Sequence, residues 1–349
     1  MVKKRIKYII LVSATFYALF LVVVFIIRLP SYTIKTSGHL YIVNKLSRNI
    51  QVFDLFSGKE IADIPIDMQS HEVIATSDQT KVLVTNYGDR SRDGLIKIID
   101  TKTNKIEKVI DLKGTLLSNG LVSFQEPDEI AVIDYFHNDF AILDIDKGDI
   151  IKKIATHQKN SHLAVLHPKK RLAYVTNMNS NSVSVIDLGS EKLIKVIPCG
   201  LTAESIDITP SGKEVWVTNK NGNSITIIET KTNTVIETLA CGKEPIKIKF
   251  SIDGKYCLVA NATDGNISVY DQKSKKEIKK IMLHGKTTLL ERVLYHTPRP
   301  VNILMHPNGM FAFIANSNAS KIEVIDMQSF EVVSTIGTGE IPDALAFVG

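Results

Sequence analysis

Residues 174–187 read YVTNMNSNSVSVID, and this phrase decides the fold because its relatives recur along the whole chain. A strand-like run ends in Thr-Asn, a short polar stretch follows, and a second strand-like run closes on Asp. The related phrases place an Asn, or once an Asp, at seven positions: Asn44, Asn86, Asp134, Asn177, Asn219, Asn261 and Asn316. The gaps between them are 42, 48, 43, 42, 42 and 55 residues, and such a period indicates a repeat architecture.

Each repeat contains four short runs rich in β-branched and apolar residues, separated by turn residues. Four antiparallel strands in a unit of about 40–45 residues are typical of a β-propeller blade. The first repeat starts at HLYIVN, which is already a second strand, and the chain ends in PDALAFVG, which matches an innermost strand. We therefore predict an all-β, seven-bladed propeller over residues 39–349, with a ring that the C-terminal strand closes.

The repeated phrases also resemble those of a known family. YVTN, VWVTN and LVTN, each followed by a strand of the VxVID type, are similar to the YVTN β-propeller repeats of surface-layer and exported microbial proteins. The resemblance covers residues 39–349 and implies the seven-bladed fold. It implies no single activity, because that family includes binding and structural proteins and is akin to lactonase-type and dehydrogenase-subunit propellers. The third repeat departs from the pattern, with IAVID where Thr-Asn is expected.

The N-terminus carries a separate signal. Residues 8–27 contain no charged side chain, and a helix of about 20 apolar residues crosses the hydrocarbon core of a membrane. We predict a basic cytoplasmic tail over 1–7, an uncleaved transmembrane anchor over 8–28 and a linker over 29–38. A cleaved signal peptide is the alternative. Because basic residues precede the span, the propeller is expected on the extracytoplasmic side, in the periplasm or at the cell surface.

The charge distribution argues against nucleic acid as a partner. The net charge of +5 belongs to the first 28 residues, and the rest of the chain holds 37 basic and 37 acidic residues. A nucleic-acid surface needs an excess of cations. Three cysteines without a C-x-x-C or haem-attachment motif are interpreted as free or buried thiols. Motifs for P-loop, HExxH and G-x-S-x-G chemistry are also missing from the sequence, so we expect no cofactor apart from the cation considered next.

A residue required once per blade is interpreted as blade architecture, so Asn177 and its relatives are assigned to turns. Functional residues are expected where the blades differ. Alignment of the innermost strands places one residue of each blade in a ring at the channel mouth: His71, Gly120, His162, Glu204, Ile246, Val301 and Asp343. His71, His162, Glu204 and Asp343 are the candidate site. Imidazoles and carboxylates ligate divalent metals, but they also serve as polar groups that wet a channel, and both interpretations stay open.

The longest gap contains an insertion, MLHGKTTLLERVLYHTPRP, over residues 282–300. Irregular loops on a rigid scaffold often carry function. The candidate partner-binding residues in it are Lys286, Leu290, Arg292, Tyr295 and Arg299. A short helix folded onto the propeller face is the alternative interpretation.

Three functions are compatible with these observations. The first is a membrane-anchored, extracytoplasmic binding or scaffold module for a protein or cell-envelope partner, favoured by the anchor and by the lack of catalytic motifs. The second is a lactonase- or metal-hydrolase-like enzyme that uses the channel-mouth cluster. The third is an accessory subunit of an extracytoplasmic redox system, which rests on likeness of fold alone.

Overall fold

The computed structural model of the 349-residue chain describes residues 10–17, 30–66, 70–86, 94–112, 118–285 and 297–349. In these residues, 28 strands form seven four-stranded antiparallel sheets. Each sheet is one blade, and the seven-bladed propeller predicted from the sequence is confirmed.

In every blade the strands follow one another from the channel outwards, from the innermost strand to the outermost. Blade 1 contains β28 (Pro342–Val348), β1 (His39–Asn44), β2 (Asn49–Asp54) and β3 (Lys59–Pro65). Blade 2 contains β4 (Ser70–Ala75), β5 (Lys81–Asn86), β6 (Leu95–Asp100) and β7 (Lys105–Asp111). Blade 3 contains β8 (Ser118–Ser123), β9 (Glu129–Asp134), β10 (Asp139–Asp144) and β11 (Asp149–Ala155). Blade 4 contains β12 (Ser161–Leu166), β13 (Leu172–Asn177), β14 (Ser182–Asp187) and β15 (Lys192–Pro198).

The remaining three blades follow the same order. Blade 5 contains β16 (Ala203–Ile208), β17 (Glu214–Asn219), β18 (Ser224–Glu229) and β19 (Thr234–Ala240). Blade 6 contains β20 (Pro245–Phe250), β21 (Tyr256–Asn261), β22 (Asn266–Asp271) and β23 (Lys276–Met282). Blade 7 contains β24 (Pro300–Met305), β25 (Phe311–Asn316), β26 (Lys321–Asp326) and β27 (Glu331–Gly337).

The ring closes through the two ends of the propeller. The C-terminal strand β28 pairs antiparallel with β1, with Leu40 opposite Phe347 and Ile42 opposite Leu345. The last strand in sequence is therefore the innermost strand of the first blade, as the register of the repeats predicts.

Neighbouring blades are held together by apolar side chains on their facing surfaces. Seven clusters of buried residues each join two adjacent blades. Between blades 5 and 6, for example, the fully buried Trp216 packs edge-on against Phe250, with ring centroids 5.4 Å apart. Both faces of a blade are covered, which is why the second strands read as continuous apolar runs rather than as alternating ones. Outermost strands such as β19 and β23 are mostly exposed.

The repeated Asn is part of this architecture, as interpreted from its repetition. Asn177 is fully buried, and its Nδ2 donates to Ser184 Oγ at 3.0 Å on the next strand. Asn219 and Asn261 make the matching bonds to Thr226 Oγ1 and Ser268 Oγ, each at 2.9 Å. Since buried amides need partners, these bonds tie the second strand of a blade to its third strand beside the turn.

The three cysteines are free thiols, as predicted, and Cys257 is fully buried. Burial raises the pKa of Cys199 and of Cys241 to about 12. These thiols are therefore protonated at neutral pH and poor nucleophiles.

The predicted anchor is only partly covered by the structure. Residues 10–17 form a helix, whereas residues 1–9 and 18–29, which contain the tail and the rest of the span, lie outside the described residues. Within the described part of the chain, no helix combines the length and the apolar character that a membrane crossing needs. The transmembrane anchor stays a prediction. Residues 30–38, predicted as a linker, pack against blades 7 and 1.

Candidate functional site at the channel mouth

A cavity of about 280 Å³ opens where the innermost strands begin. The four residues predicted for this site, His71, His162, Glu204 and Asp343, all line it. The structure therefore brings together side chains that come from blades 1, 2, 4 and 5. Five further charged residues also line the cavity: Lys45, Glu72, Lys220, Lys247 and Arg299.

β-Bulges put the ring residues in place. In every blade, the pairing of the innermost strand with the second strand is interrupted directly after its first residue. A bulge removes a residue from the ladder and redirects its side chain. Five of the interrupted positions are occupied by predicted ring residues whose pairing is skipped: His71, His162, Glu204, Ile246 and Val301. Asp343 takes the same place in blade 1.

The prediction for blade 3 was wrong by one residue. The interruption falls between Ser118 and Gly120, and Gly120 pairs with Ile133, so Asn119 occupies the ring position. Glycine at position 120 has a different role, because a Cβ there would lie 2.6 Å from the carbonyl oxygen of His162. It allows the innermost strands of blades 3 and 4 to approach each other closely. The alignment missed this because a bulge shifts the register by one residue.

The length of the interruption depends on the motif threonine. In blades 2, 4 and 5 the ladder skips two residues of the innermost strand and the threonine opposite them. The hydroxyl oxygen of Thr176 accepts the backbone N–H of Leu163 at 3.1 Å, and that of Thr218 accepts the N–H of Ser205 at 3.0 Å. Thr85 does the same in blade 2, with Glu72 at 3.3 Å. A side chain that bonds the backbone competes with the ladder.

The other four blades lack this hydroxyl. The residue before the motif Asn or Asp is Val43, Ile133, Ala260 or Ala315, and there the ladder skips a single residue. The longer break therefore occurs in the blades whose phrase ends in Thr-Asn. Those are the blades that supply His71, His162 and Glu204 to the cavity.

His71 and Asp343 form a hydrogen-bonded pair across blades 2 and 1. The Nδ1 of His71 donates to Asp343 Oδ2 at 2.7 Å, and Lys45 Nζ lies 3.6 Å from the same oxygen. Burial of Asp343 acts to raise its pKa, but the hydrogen bond from His71 and the charges of His71 and Lys45 outweigh it, so the pKa lies below its usual value. An ionised Asp343 holds the proton of His71 on Nδ1 and makes Nε2 the basic nitrogen.

His162 and Glu204 form the second part of the site. The ring of His162 is buried, and its Nδ1 donates to the carbonyl oxygen of Glu204 at 3.1 Å. Burial lowers the pKa of His162, while the charge of Glu204 partly opposes this, so the imidazole is neutral at pH 7. The carboxylate of Glu204 has Oε1 at 3.9 Å from Lys220 Nζ. Its Oε2 is buried and finds no hydrogen-bond partner among the described residues.

Cations surround these groups. Lys247 Nζ lies 3.6 Å from Glu72 Oε1, a distance too long for a hydrogen bond. Arg299 makes a bidentate pair with Glu244, at 3.0 Å and 2.9 Å. Arg299 was predicted as part of a partner-binding insertion, and the structure places it in the lining of the mouth. Four other predicted residues lie outside the described residues: Lys286, Leu290, Arg292 and Tyr295.

The geometry does not favour a metal centre. Across the ranges that the structure describes, no three His, Cys, Asp or Glu side chains are arranged to hold a metal ion. Two of the carboxylates instead lie beside lysine ammonium groups, Asp343 beside Lys45 and Glu204 beside Lys220. Each of these lysines weakens the attraction of its neighbouring carboxylate for a divalent cation.

Three lysines of the site, Lys45, Lys220 and Lys247, were not predicted from the sequence, and neither was Glu72. Lys45 and Lys220 directly follow the motif residues Asn44 and Asn219, at a position that varies among the blades. The corresponding residues in other blades include Met178 and Ala262, so an alignment of this one position would have revealed the two cations.

Comparisons with known proteins agree on the fold. A family model described as Lactonase, 7-bladed beta-propeller matches residues 161–281, which are blades 4 to 6. The match covers about a third of the chain, so it marks a similarity to that family, and the resemblance to YVTN repeats stays a prediction. A search of the curated proteins returns no significant match.

Solved structures give the same result. The chain is similar to a chain of Kuenenia stuttgartiensis hydrazine synthase, with a TM-score of 0.69 and 15% identity, over 79% of this chain and 89% of that one. It is also similar to a functionally unknown protein from Desulfotomaculum acetoxidans, with a TM-score of 0.73 and 18% identity, over 89% and 99% of the two chains. Because 1718 solved chains match, likeness of fold alone does not select a function.

Proposed function

We propose that the protein is a membrane-anchored, extracytoplasmic binding module whose channel mouth holds part of a cell-envelope or protein partner. The observation that carries the proposal is the carboxylate of Glu204, whose Oε2 is buried at the cavity without a hydrogen-bond partner among the described residues. A buried acceptor left in this state costs about 1–3 kcal/mol. A partner that brings a donor to Glu204 recovers that free energy.

The charges around the cavity define the chemistry of the bound group. Lys220 and Lys247 lie 3.9 Å and 3.6 Å from their nearest carboxylates, so each ammonium retains hydrogen-bonding capacity for an acceptor on the partner. The bound group thus combines a donor, such as a hydroxyl or an amine, with an anionic or carbonyl acceptor. The volume of about 280 Å³ is at the lower end for small-molecule sites and suits one sugar-sized group or a peptide terminus.

The location is part of the proposal. The uncharged run over residues 8–27 supports a single membrane span, and the basic residues before it support a cytoplasmic N-terminus. The propeller then lies in the periplasm or at the cell surface, where a cell-envelope partner is accessible to the mouth.

The test is copurification from detergent-extracted membranes with full-length protein. Lys220→Met combined with Lys247→Met removes the two ammonium groups, and capture of the partner is expected to fall about tenfold or more, as for residues at the centre of an interface. The matched control, Lys213→Met with Lys255→Met, changes two exposed lysines on the opposite face and is expected to capture the partner normally. Equal capture by all three proteins would contradict the proposal.

A second candidate is a lactonase-like hydrolase, and one observation favours it. The region similar to the lactonase family model, residues 161–281, contains His162, Glu204 and Lys220 of the mouth. The His71–Asp343 pair then supplies a general base, and the lysines stabilise a developing oxyanion. Under this alternative, the purified propeller hydrolyses lactones, and His71→Asn reduces the rate by about 10²–10⁴-fold. A preparation without lactone hydrolysis above the buffer rate would exclude it.

A redox accessory role has weaker support. It rests on similarity to a hydrazine synthase chain at 15% identity, and likeness at this level concerns the fold alone.

A further inference from the structure

Residues 30–38 lie in a fixed path along the outside of the ring. The backbone N–H of Thr335 donates to Ser31 O at 3.0 Å, and Thr33 Oγ1 donates to Val333 O at 2.7 Å. Tyr32 packs edge-on against Phe53, with ring centroids 5.0 Å apart. The segment therefore binds β27 of blade 7 and β2 of blade 1, and it covers the junction between these two blades.

The segment starts at the mouth face. Pro30 lies beside Gly337, since a Cβ on that glycine would be 3.2 Å from Pro30 Cγ. Gly337 pairs with Lys321, Lys321 with Asn316, and Asn316 with Pro300. This row of residues runs across blade 7 at the edge where the innermost strands begin, which is the edge of the cavity.

The segment ends at the opposite face. The N–H of Thr36 donates to Leu55 O at 3.2 Å, and Thr36 Oγ1 lies 3.1 Å from His306 Nε2. Leu55 follows the end of β2, and His306 follows the end of β24, so both belong to the face away from the mouth. The chain that precedes residue 30 therefore joins the propeller at the rim of the mouth face.

The distance from this rim to the predicted anchor is short. The anchor is predicted to end at residue 28, two residues before Pro30, and two residues span at most about 7 Å. The nearest part of the mouth rim carries exposed apolar side chains: Leu46 is 52% exposed and Ile341 is 37% exposed. Leu46 N donates to Glu340 O at 3.2 Å, so the two apolar residues sit on adjoining loops.

We infer that the propeller is held with its mouth towards the membrane, and that the rim around Leu46 and Ile341 lies against the lipid headgroups. The inference rests on the anchor of the proposed function. Exposed apolar tips beside a cation are suited to the membrane interface, and Arg48 is exposed on the same loop as Leu46; Glu340 is the exposed acid beside them. The binding cavity then opens towards the bilayer rather than away from it.

The experiment uses the single tryptophan of the chain. Trp216 is fully buried, so it provides a constant background for a second tryptophan. Leu46→Trp puts the probe on the mouth rim of blade 1, and Phe56→Trp puts it on the opposite face of the same blade, where Phe56 is 67% exposed. Each full-length variant is reconstituted in vesicles of phosphatidylglycerol and phosphatidylcholine, with and without bromine on the upper acyl chains.

We expect brominated lipid to quench the added tryptophan of Leu46→Trp and to shift its emission to the blue, with no change for Phe56→Trp. Carbonate extraction first shows whether the chain is anchored. If the chain resists extraction, three results would overturn the orientation: equal quenching at both positions, stronger quenching at position 56, or quenching at neither. Release of the chain by carbonate would overturn the anchor, and the orientation with it. The two failures are therefore distinguishable.

Discussion

Blades 2, 4 and 5 differ from blades 1, 3, 6 and 7 in the residue before the repeated Asn or Asp. A threonine in the first set accepts a backbone N–H of the innermost strand, with Thr218 and Ser205 at 3.0 Å as the shortest case. In the second set this residue has no hydroxyl, as at Ala260, and the pairing of the innermost strand with the second strand resumes one residue earlier. One hydroxyl in the second strand thus determines whether two residues or one residue of the innermost strand are left out of the pairing at the channel mouth.

The repeated phrase therefore serves two purposes. Its Asn occurs in both sets, and the buried Asn177 and Asn219 of the first set and Asn261 and Asn316 of the second bond side chains of their own blades. Its Thr marks the blades that supply His71, His162 and Glu204 to the cavity, whereas Asp343, Ile246 and Val301 line it from blades without this threonine. Architecture and candidate site are therefore coupled through neighbouring residues of a single strand.

The largest effect is expected for the residue that both sets share. Asn177→Ala removes the amide that bonds the hydroxyls of Ser161 and Ser184, of which Ser161 retains Thr156 as a partner, and we expect the free energy of unfolding to fall by about 2–3 kcal/mol. Urea denaturation measures it. Asn179→Ala, at an exposed position in the same turn, is the control and is expected to change stability by less than about 0.5 kcal/mol. Equal losses would show that the buried amide has no special role.

A smaller effect is expected for the residue that separates the two sets. Thr176→Val keeps the shape but removes the acceptor for Leu163 N, and we expect a loss of about 1–2 kcal/mol in urea denaturation. The NMR signals of His162 should shift, because the bulge that carries it loses its support. Thr232→Val, at an exposed turn, is the matched control. If the NMR signals of His162 do not shift, the motif threonine does not position this residue of the candidate site.

The third prediction concerns pH and compares blade 4 with the rest of the ring. Burial lowers the pKa of His162 in the folded state, whereas in the unfolded chain this histidine has its ordinary pKa of about 6.5. Below that pH the unfolded chain binds the proton more readily than the folded protein does. The free energy of unfolding is therefore unaffected by His162 above about pH 6.5 and declines as the pH falls below it. His162→Gln should lessen the decline between neutral and mildly acidic pH in urea denaturation.

Other titratable groups also contribute to the pH dependence of the free energy of unfolding. The pKa of His167 is also lowered by burial and contributes in both proteins, so the decline should lessen rather than disappear. Asp343, with a pKa below its usual value, loses its contribution only at more acidic pH. Identical pH profiles of the wild-type protein and His162→Gln would contradict the assignment.

The smallest effect on stability is expected at the mouth. Lys220→Met with Lys247→Met removes ion pairs of 3.9 Å and 3.6 Å, which are partly solvated, and we expect less than about 1 kcal/mol of change in the free energy of unfolding. Thermal denaturation checks it. A large loss of stability would mean that Lys220 and Lys247 stabilise the fold. They would then not differ from the architectural residues such as Asn177.

Much of the fold could be predicted, because the period and the strand pattern are local properties of the chain. The candidate site was predicted in part: His71, His162, Glu204 and Asp343 line the cavity, whereas Gly120 was misplaced by the bulge in blade 3. Lys45 and Lys220 were missed because the alignment stopped at the repeated Asn. Arg299 was assigned to an insertion, and only the structure shows that it lines the mouth.

The number of blades, their four strands and the closure by the last strand can be predicted from the sequence, since each follows from a repeat of about 42 residues whose hydrophobic pattern suits a strand packed between neighbours. Which charges meet depends on the tertiary structure. Lys45 and Asp343 lie at opposite ends of the chain and 3.6 Å apart in space. The tertiary structure also determines that residues 30–38 start at the mouth face, because their hydrogen bonds to β27 set their path. Contacts between distant residues depend on register, and register changes with a single bulge.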